Sequence, residues 1–158
     1  MTVEIRLLTP DDVGLLHAMM VTFGKAFEDL SSYTEDPPGE PYIRRLLGGD
    51  SFIALVALLD AEVVGGVAAY ELKKFEKERS EIYIYDLAVA STHRRMGIAT
   101  ALIEELTRIA AVRGAYVIFV QADTGIEDEP AIALYTKLGT REDVLHFDIS
   151  VKSRNGAA

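Results

Sequence analysis

The sequence predicts a single mixed α/β domain, with a central, mostly antiparallel sheet flanked by helices, and three observations predict it. Strand-like apolar runs alternate with helical periodicities along a chain of 158 residues, without linker or internal repeat. The central strands are joined by hairpin-length links, which excludes a doubly wound nucleotide-binding sheet. Hydrophobic residues make up 49% of the chain, enough for a real core. The domain is expected to span 1–152, with a flexible tail at 153–158.

In chain order, "VEIRLL" alternates as a short strand. Thr9-Pro10-Asp11 then predicts a helix start, with Thr9 as N-cap, Pro10 at the first helical position and acids in the first turn. Val13, Leu16, Met20 and Phe23 recur at helical spacing. "EDLSSYTEDPPGEP" is polar and Pro-rich and predicts a loop, and "YIRRLLGGD" a short helix ended by Gly48-Gly49. Two β runs, 51–59 and 62–72, meet at "DAE" as a hairpin. The charged connector "KKFEKERSE" leads to a strand over 82–89, and a helix follows over about 97–113 with Gly114 as its stop. "AYVIFVQAD" is apolar enough to predict a central strand. "EDEPAIALYTKLG" predicts a helix with Pro130 in its first turn, and "DVLHFDISV" a final strand.

Composition narrows the function. There is no cysteine, so disulfides, thiolate metal sites and a Cys nucleophile are excluded. His17, His93 and His146 are scattered without ligand spacing, and no metal is expected. The net charge of −9 has the wrong sign for a nucleic-acid binder; it serves solubility or draws in a cationic substrate. No apolar run is long enough to span a bilayer, and the N-terminus lacks the pattern of a signal peptide. A cytoplasmic protein is therefore expected.

One motif stands out. In "YDLAVASTHRRMGIATALI" a strand gives way to a helix through "RRMGIA". A helix start exposes backbone N–H groups and the positive end of the dipole. Gly97 and Ala99 keep the backbone approachable, and Arg94 and Arg95 add positive charge, so the stretch predicts a pyrophosphate cradle. A bare turn into a helix is the alternative. Neither a P-loop nor a dinucleotide fingerprint is present.

Strand, Arg94-x-x-Gly97-x-Ala99 and long helix resemble the acetyl-CoA signature of the GNAT family of N-acetyltransferases. "DEPAIALYTKLG" is similar to that family's later helix, through Ala131, Leu134, Tyr135 and Gly139. From about Phe52 to Ile149 the chain further resembles the gentamicin-type aminoglycoside 3-N-acetyltransferases. The resemblance implies the GNAT fold, acetyl-CoA as cosubstrate, an aminoglycoside as acceptor and a homodimer. It also implies that the backbone of Arg95, Met96, Gly97, Ile98, Ala99 and Thr100 holds the CoA pyrophosphate, with Arg94 beside it. Leu87, Ala88 and Val89 would line the pantetheine arm through main-chain pairing. Ala131, Tyr135 and Asp128 fall at cofactor positions, although relatives often have Asn where Asp128 stands.

Without a Cys, direct attack by the acceptor amine is the simple route. It needs a neutral amine, a polarised carbonyl and a proton for the departing thiolate. The family match makes Tyr135 the general acid. Three carboxylates compete as base: Asp123, placed first, at the end of a central strand; Asp86, within a strand whose phase a β-bulge would shift; and Glu81. Glu28, Asp29, Asp123 and Asp143, with Tyr83 and Tyr85, are the expected acceptor contacts, and Glu35, Asp36 and Asp148 are further acids of the same kind. Acetylation of another polyamine or of a protein amine, and a non-catalytic acyl-CoA-binding module, stay open.

Overall fold

Eight consecutive residues, Phe52 to Leu59, are buried, as expected of a strand with both faces covered and neighbours on both sides. In the computed structural model, which describes residues 2–153, this strand is β2 (Phe52–Leu59). It lies between β1 (Glu4–Leu7) and β3 (Glu62–Lys73), both antiparallel to it. β3 pairs antiparallel with β4 (Ser80–Val89), and β4 pairs in parallel with β5 (Ala115–Val120). The sheet order is β1-β2-β3-β4-β5, so the fold is α/β with a mixed, mostly antiparallel sheet. Asp60 and Ala61 both have positive φ, +50° and +65°, the backbone needed to turn β2 into β3 within two residues.

Two helical layers cover this sheet. On one face lie α1 (Val13–Ala26), α2 (Leu30–Thr34) and α3 (Glu40–Gly48). Leu16, Met19, Phe23, Ile43 and Leu47 pack there against Ala54, Val56, Ala68 and Ala88. On the other face α4 (Ile98–Arg113) sets Ile98, Leu102, Leu106 and Ile109 against Ile53, Leu55, Val67, Ile82 and Ile84. Gly66 lets α1 approach closely: a Cβ there would stand 2.7 Å from Met19.

The chain divides into two compact units, 1–121 and 122 onward. In the second, α5 (Glu129–Leu138) carries Pro130 in its first turn and ends at Gly139, as its sequence predicts.

Several local expectations are corrected. α1 begins at Val13 with Asp12 as N-cap, not at Thr9. Asp12 accepts from the Thr9 amide (2.8 Å) and hydroxyl and pairs with Arg6 at 2.8 Å, so Thr9-Asp12 forms a turn before the helix. The predicted loop after α1 contains the short helix α2. β5, expected at the centre, is an edge strand, with Tyr116 and Val117 exposed. No strand forms over 143–151. Its Leu145, Phe147, Ile149 and Val151 alternate as a strand should, yet they are exposed and no strand among the described residues pairs with them. The tail expected over 153–158 lies outside the described residues from 154 on.

Candidate active site

The register between β3 and β4 slips by one residue: Ala68 faces Asp86, but Ala69 faces Ile84. Tyr85 is the extra residue of this β-bulge, and it is 62% exposed. The bulge decides where the next side chains go. Leu87 and Val89 pack with the α4 cluster, whereas Ala88 belongs to the α1–α3 cluster.

Just there, β4 parts from β5. The parallel ladder runs from Ser80–Ala115 to Ile84–Val120 and stops. β4 continues to Val89, paired on one side with β3 through Val67–Leu87 and Gly65–Val89. On the other side no strand among the described residues takes the main-chain groups from Tyr85 to Val89. An extended ligand arm can add to such an edge by backbone hydrogen bonding.

Beyond Val89 a 3-10 turn at Ser91–His93 leads into the cradle. Arg95 has φ +62° and Gly97 φ +75°, so the chain turns sharply through two left-handed residues into α4. Gly97 is the N-cap and no side chain caps the helix, which leaves the first-turn amides of Ile98, Ala99 and Thr100 without a side-chain acceptor. A Cβ at Gly97 would meet nothing within 4 Å, so the approach is open. Arg94, Arg95 and Met96 are exposed around it. The open helix end fits a diphosphate, and the free β4 edge beside it fits an extended arm. Among the described residues no cluster of His, Cys, Asp and Glu could hold a metal ion.

The opposite face of β4 holds a carboxylate. Asp86 is half-buried, and Tyr33 of α2 donates its hydroxyl to Asp86 Oδ2 at 2.8 Å. The Tyr33 ring is held by Phe23 and Phe27, each with its centroid 6.0 Å away. Burial pushes the Asp86 pKa up, and the Tyr33 hydrogen bond only partly offsets this. Burial and the neighbouring Asp86 carboxylate push the Tyr33 pKa up, so its hydroxyl stays a donor. An aromatic row borders the carboxylate. Phe119 stacks on Tyr83 at 4.8 Å, Tyr83 meets Tyr85 at 5.9 Å, and Tyr85 meets Tyr70 edge-on at 5.9 Å. The Tyr83 hydroxyl donates to Gln121 at 3.0 Å.

The remaining expected residues are placed as follows. Glu28 and Asp29 are exposed between α1 and α2, and Asp29 accepts a hydrogen bond from Ser32. Glu81 accepts from the Tyr116 hydroxyl and pairs with Lys74 at 3.4 Å, which holds its pKa down and commits it to structure. In the second unit, Asp123 and Asp143 are exposed; Asp143 pairs with Arg141 at 3.6 Å. Asp128 Oδ2 accepts from the Asp123 amide at 2.7 Å, so this carboxylate is engaged locally. Tyr135 and Ala131 are half-buried on α5. Burial, aided by the Asp128 charge, pushes the Tyr135 pKa up to about 12, and the phenol is protonated at neutral pH. Sequence reasoning missed Tyr33, which lay in a predicted loop; Phe23 and Phe27, one helical turn apart, were the only local sign of an aromatic pocket.

Comparison with known proteins gives the site a context. The model of the Acetyltransferase (GNAT) family matches residues 16–140. The aminoglycoside acetyltransferase HMB0005 from an uncultured soil metagenomic sample is 65% identical, with TM-score 0.95 over 96% of this chain and 100% of that one. The aminoglycoside acetyltransferase meta-AAC0020, also from a soil metagenomic sample and crystallised with sisomicin, is 30% identical; its TM-score is 0.86 over 95% of this chain and 97% of that one. N-acetyltransferase family 8 member 2 of Rattus norvegicus is 34% identical over 100 residues, 63% of this chain and 42% of its own. The chain thus spans less than half the length of the curated relatives it matches. No helix among the described residues is long and apolar enough to cross a membrane.

Proposed function

The chain belongs to the GNAT family of acetyltransferases, and on that premise we propose that it moves an acetyl group from acetyl-CoA to the 3-amino group of a gentamicin-type aminoglycoside. The full-length likeness to an aminoglycoside acetyltransferase carries the acceptor class. The two-sided construction of β4 supports the chemistry, with an open main-chain edge on one side and a half-buried carboxylate on the other. One acetyltransferase domain over 1–152, working in the cytoplasm, is part of the proposal.

Acetyl-CoA supplies an activated thioester when bound. The amides of Arg95 to Thr100 and the guanidinium of Arg94 bind its diphosphate, and the main chain of Leu87, Ala88 and Val89 aligns its arm. A main-chain N–H of that stretch polarises the carbonyl. An acceptor ammonium must lose a proton before its nitrogen can attack. Asp86 Oδ takes that proton, directly or through a water, because burial has raised its basicity above that of an ordinary carboxylate. The Tyr135 hydroxyl holds the proton needed by the departing sulfur. Tyr83 and Tyr85 give the acceptor flat apolar and cation–π surface, and Glu28, Asp29, Asp123 and Asp143 add negative charge that attracts it. Among the carboxylates, Asp86 replaces Asp123 as our first choice of base, because Asp123 is exposed and Asp86 is half-buried on β4. A homodimer completes the proposal: the exposed apolar ladder of Leu145, Phe147, Ile149 and Val151 is the kind of surface a second copy covers.

The test is thiol release from acetyl-CoA with aminoglycosides, polyamines and peptides offered in parallel. Turnover on gentamicin-type compounds is expected. Turnover on polyamines or peptides alone removes the antibiotic assignment, and tight CoA binding without turnover supports a non-catalytic module.

A further inference from the structure

At the far end of α4 from the cradle, about 24 Å along its 16 residues, the first unit has a polar hollow. It measures about 290 Å³ and lies where β3 ends, β4 begins and α4 stops. Lys73, Lys74, Arg79 and Arg113 line it, with Glu71, Glu78 and Ser80. Four cations against two acids is an unusual balance on a protein of net charge −9.

Most of these charges have partners. Buried Glu71 is matched by Arg113 at 2.8 Å, and Arg113 also donates to the Asp50 carbonyl. Lys73 pairs with Asp50. Lys74 stands 3.4 Å from Glu81 and 3.5 Å from Glu76, loose contacts that leave its ammonium donors to spare. Arg79 differs. No carboxylate pairs with it among the described residues; its guanidinium lies 3.8 Å above the Tyr116 ring, and its buried Nε has no hydrogen-bond partner. Ser80 beside it is 2% exposed, and its Oγ has no partner either. Among the described residues these two neighbours hold the buried side-chain polar atoms that lack a partner, and one of them belongs to a charged group.

We propose that this hollow binds a small oxyanion, a carboxylate or phosphate group, on Arg79 and Ser80. The terminal Nη groups of Arg79, which no carboxylate holds among the described residues, can only donate, and a charged donor held in place calls for an anionic acceptor. The ring stack holds Arg79 in place, so little side-chain freedom is lost on binding. Lys74 can turn from its loose partners to supply a second donor, and the unpartnered Ser80 Oγ–H, closed off in the unbound protein, becomes a third as the ligand displaces the connector above it. Exposed Glu78 is in no ion pair among the described residues, and it opposes the ligand. The site gives a role to the charged connector between β3 and β4, which the acetyl-transfer chemistry leaves unused.

The experiment titrates the full chain with inorganic phosphate and, separately, acetate, at ionic strength held constant with chloride. The protein is saturated with CoA so that the cradle is filled, and binding is read by calorimetry and by the shift in Tm. Saturable binding of at least one oxyanion is expected, and the better of the two names the ligand class. Arg79→Gln weakens Kd at least tenfold, Ser80→Ala several-fold, and Glu78→Gln tightens it about twofold. The unbound Ser80→Ala protein keeps its Tm, because an unbonded hydroxyl is lost without penalty, so a folding defect is separable from a binding defect. Absence of saturable binding, or equal affinity in wild type and Arg79→Gln, overturns the proposal.

Discussion

On one face of β4, Ile82, Ile84, Leu87 and Val89 lie against the aliphatic side chains of α4; on the other, Asp86 sits at the bulge beneath the Tyr33 hydroxyl. The first face packs against α4, and what it leaves open is backbone: a free strand edge and an uncapped helix end. The second face is made by side chains brought together from α1, α2 and the bulge. In the proposed reaction a single strand would serve two tasks by different means: its backbone would receive acetyl-CoA, and the side chains of its other face would receive the acceptor.

Three variants press on this difference. Gly97→Val puts a β-branched side chain at φ +75°, where L-residues are strained, in the mouth of the cradle. It is expected to weaken acetyl-CoA binding by about ten- to thirtyfold, while acceptor KM at saturating acetyl-CoA stays near wild type. Equal loss on both substrates would show that the two faces are not separate. Tyr33→Phe removes the donor that offsets part of the burial-driven rise in the Asp86 pKa. About three- to tenfold slower turnover is expected, with the acid limb of the pH–rate profile displaced to higher pH. The sign follows because a carboxylate that loses a hydrogen bond to its charged form becomes more basic. Displacement to lower pH would place the controlling group elsewhere. The smallest effect belongs to Tyr85→Ala, which removes an exposed ring from the aromatic row. Acceptor KM is expected to rise about two- to fourfold with unchanged acetyl-CoA affinity, the size of a single partly exposed ring contact.

The same contrast explains what the sequence could tell. The backbone face is local in the chain: strand, Arg-Arg, glycine and helix lie within 19 consecutive residues, and their order already predicts an anion cradle. The side-chain face depends on a hydrogen bond between residues 53 positions apart, from a short helix in a stretch whose prolines and acids look like loop. No periodicity encodes that contact. The bulge at Tyr85 was legible only as a possible change of phase, and its position decides that Asp86 faces α2. Strand identity was legible for 115–120, but not its place at the sheet edge, because its apolar composition suits a covered strand. The alternation over 143–151 is genuine strand patterning, and pairing, which no alternation supplies by itself, is what that segment lacks.

Side-by-side kinetics of Asp86→Asn and Asp123→Asn test the central claim most directly. Asparagine keeps the shape of each side chain and removes its basicity. With acetyl-CoA affinity measured separately, the account predicts that Asp86→Asn lowers kcat about a hundredfold or more with Tm equal to wild type or higher, since a charge that burial disfavours is removed with the base. Asp123→Asn is expected to stay within about threefold of wild type, since an exposed acid contributes attraction and little more. A wild-type rate for Asp86→Asn, with the loss falling on Asp123→Asn, would contradict it.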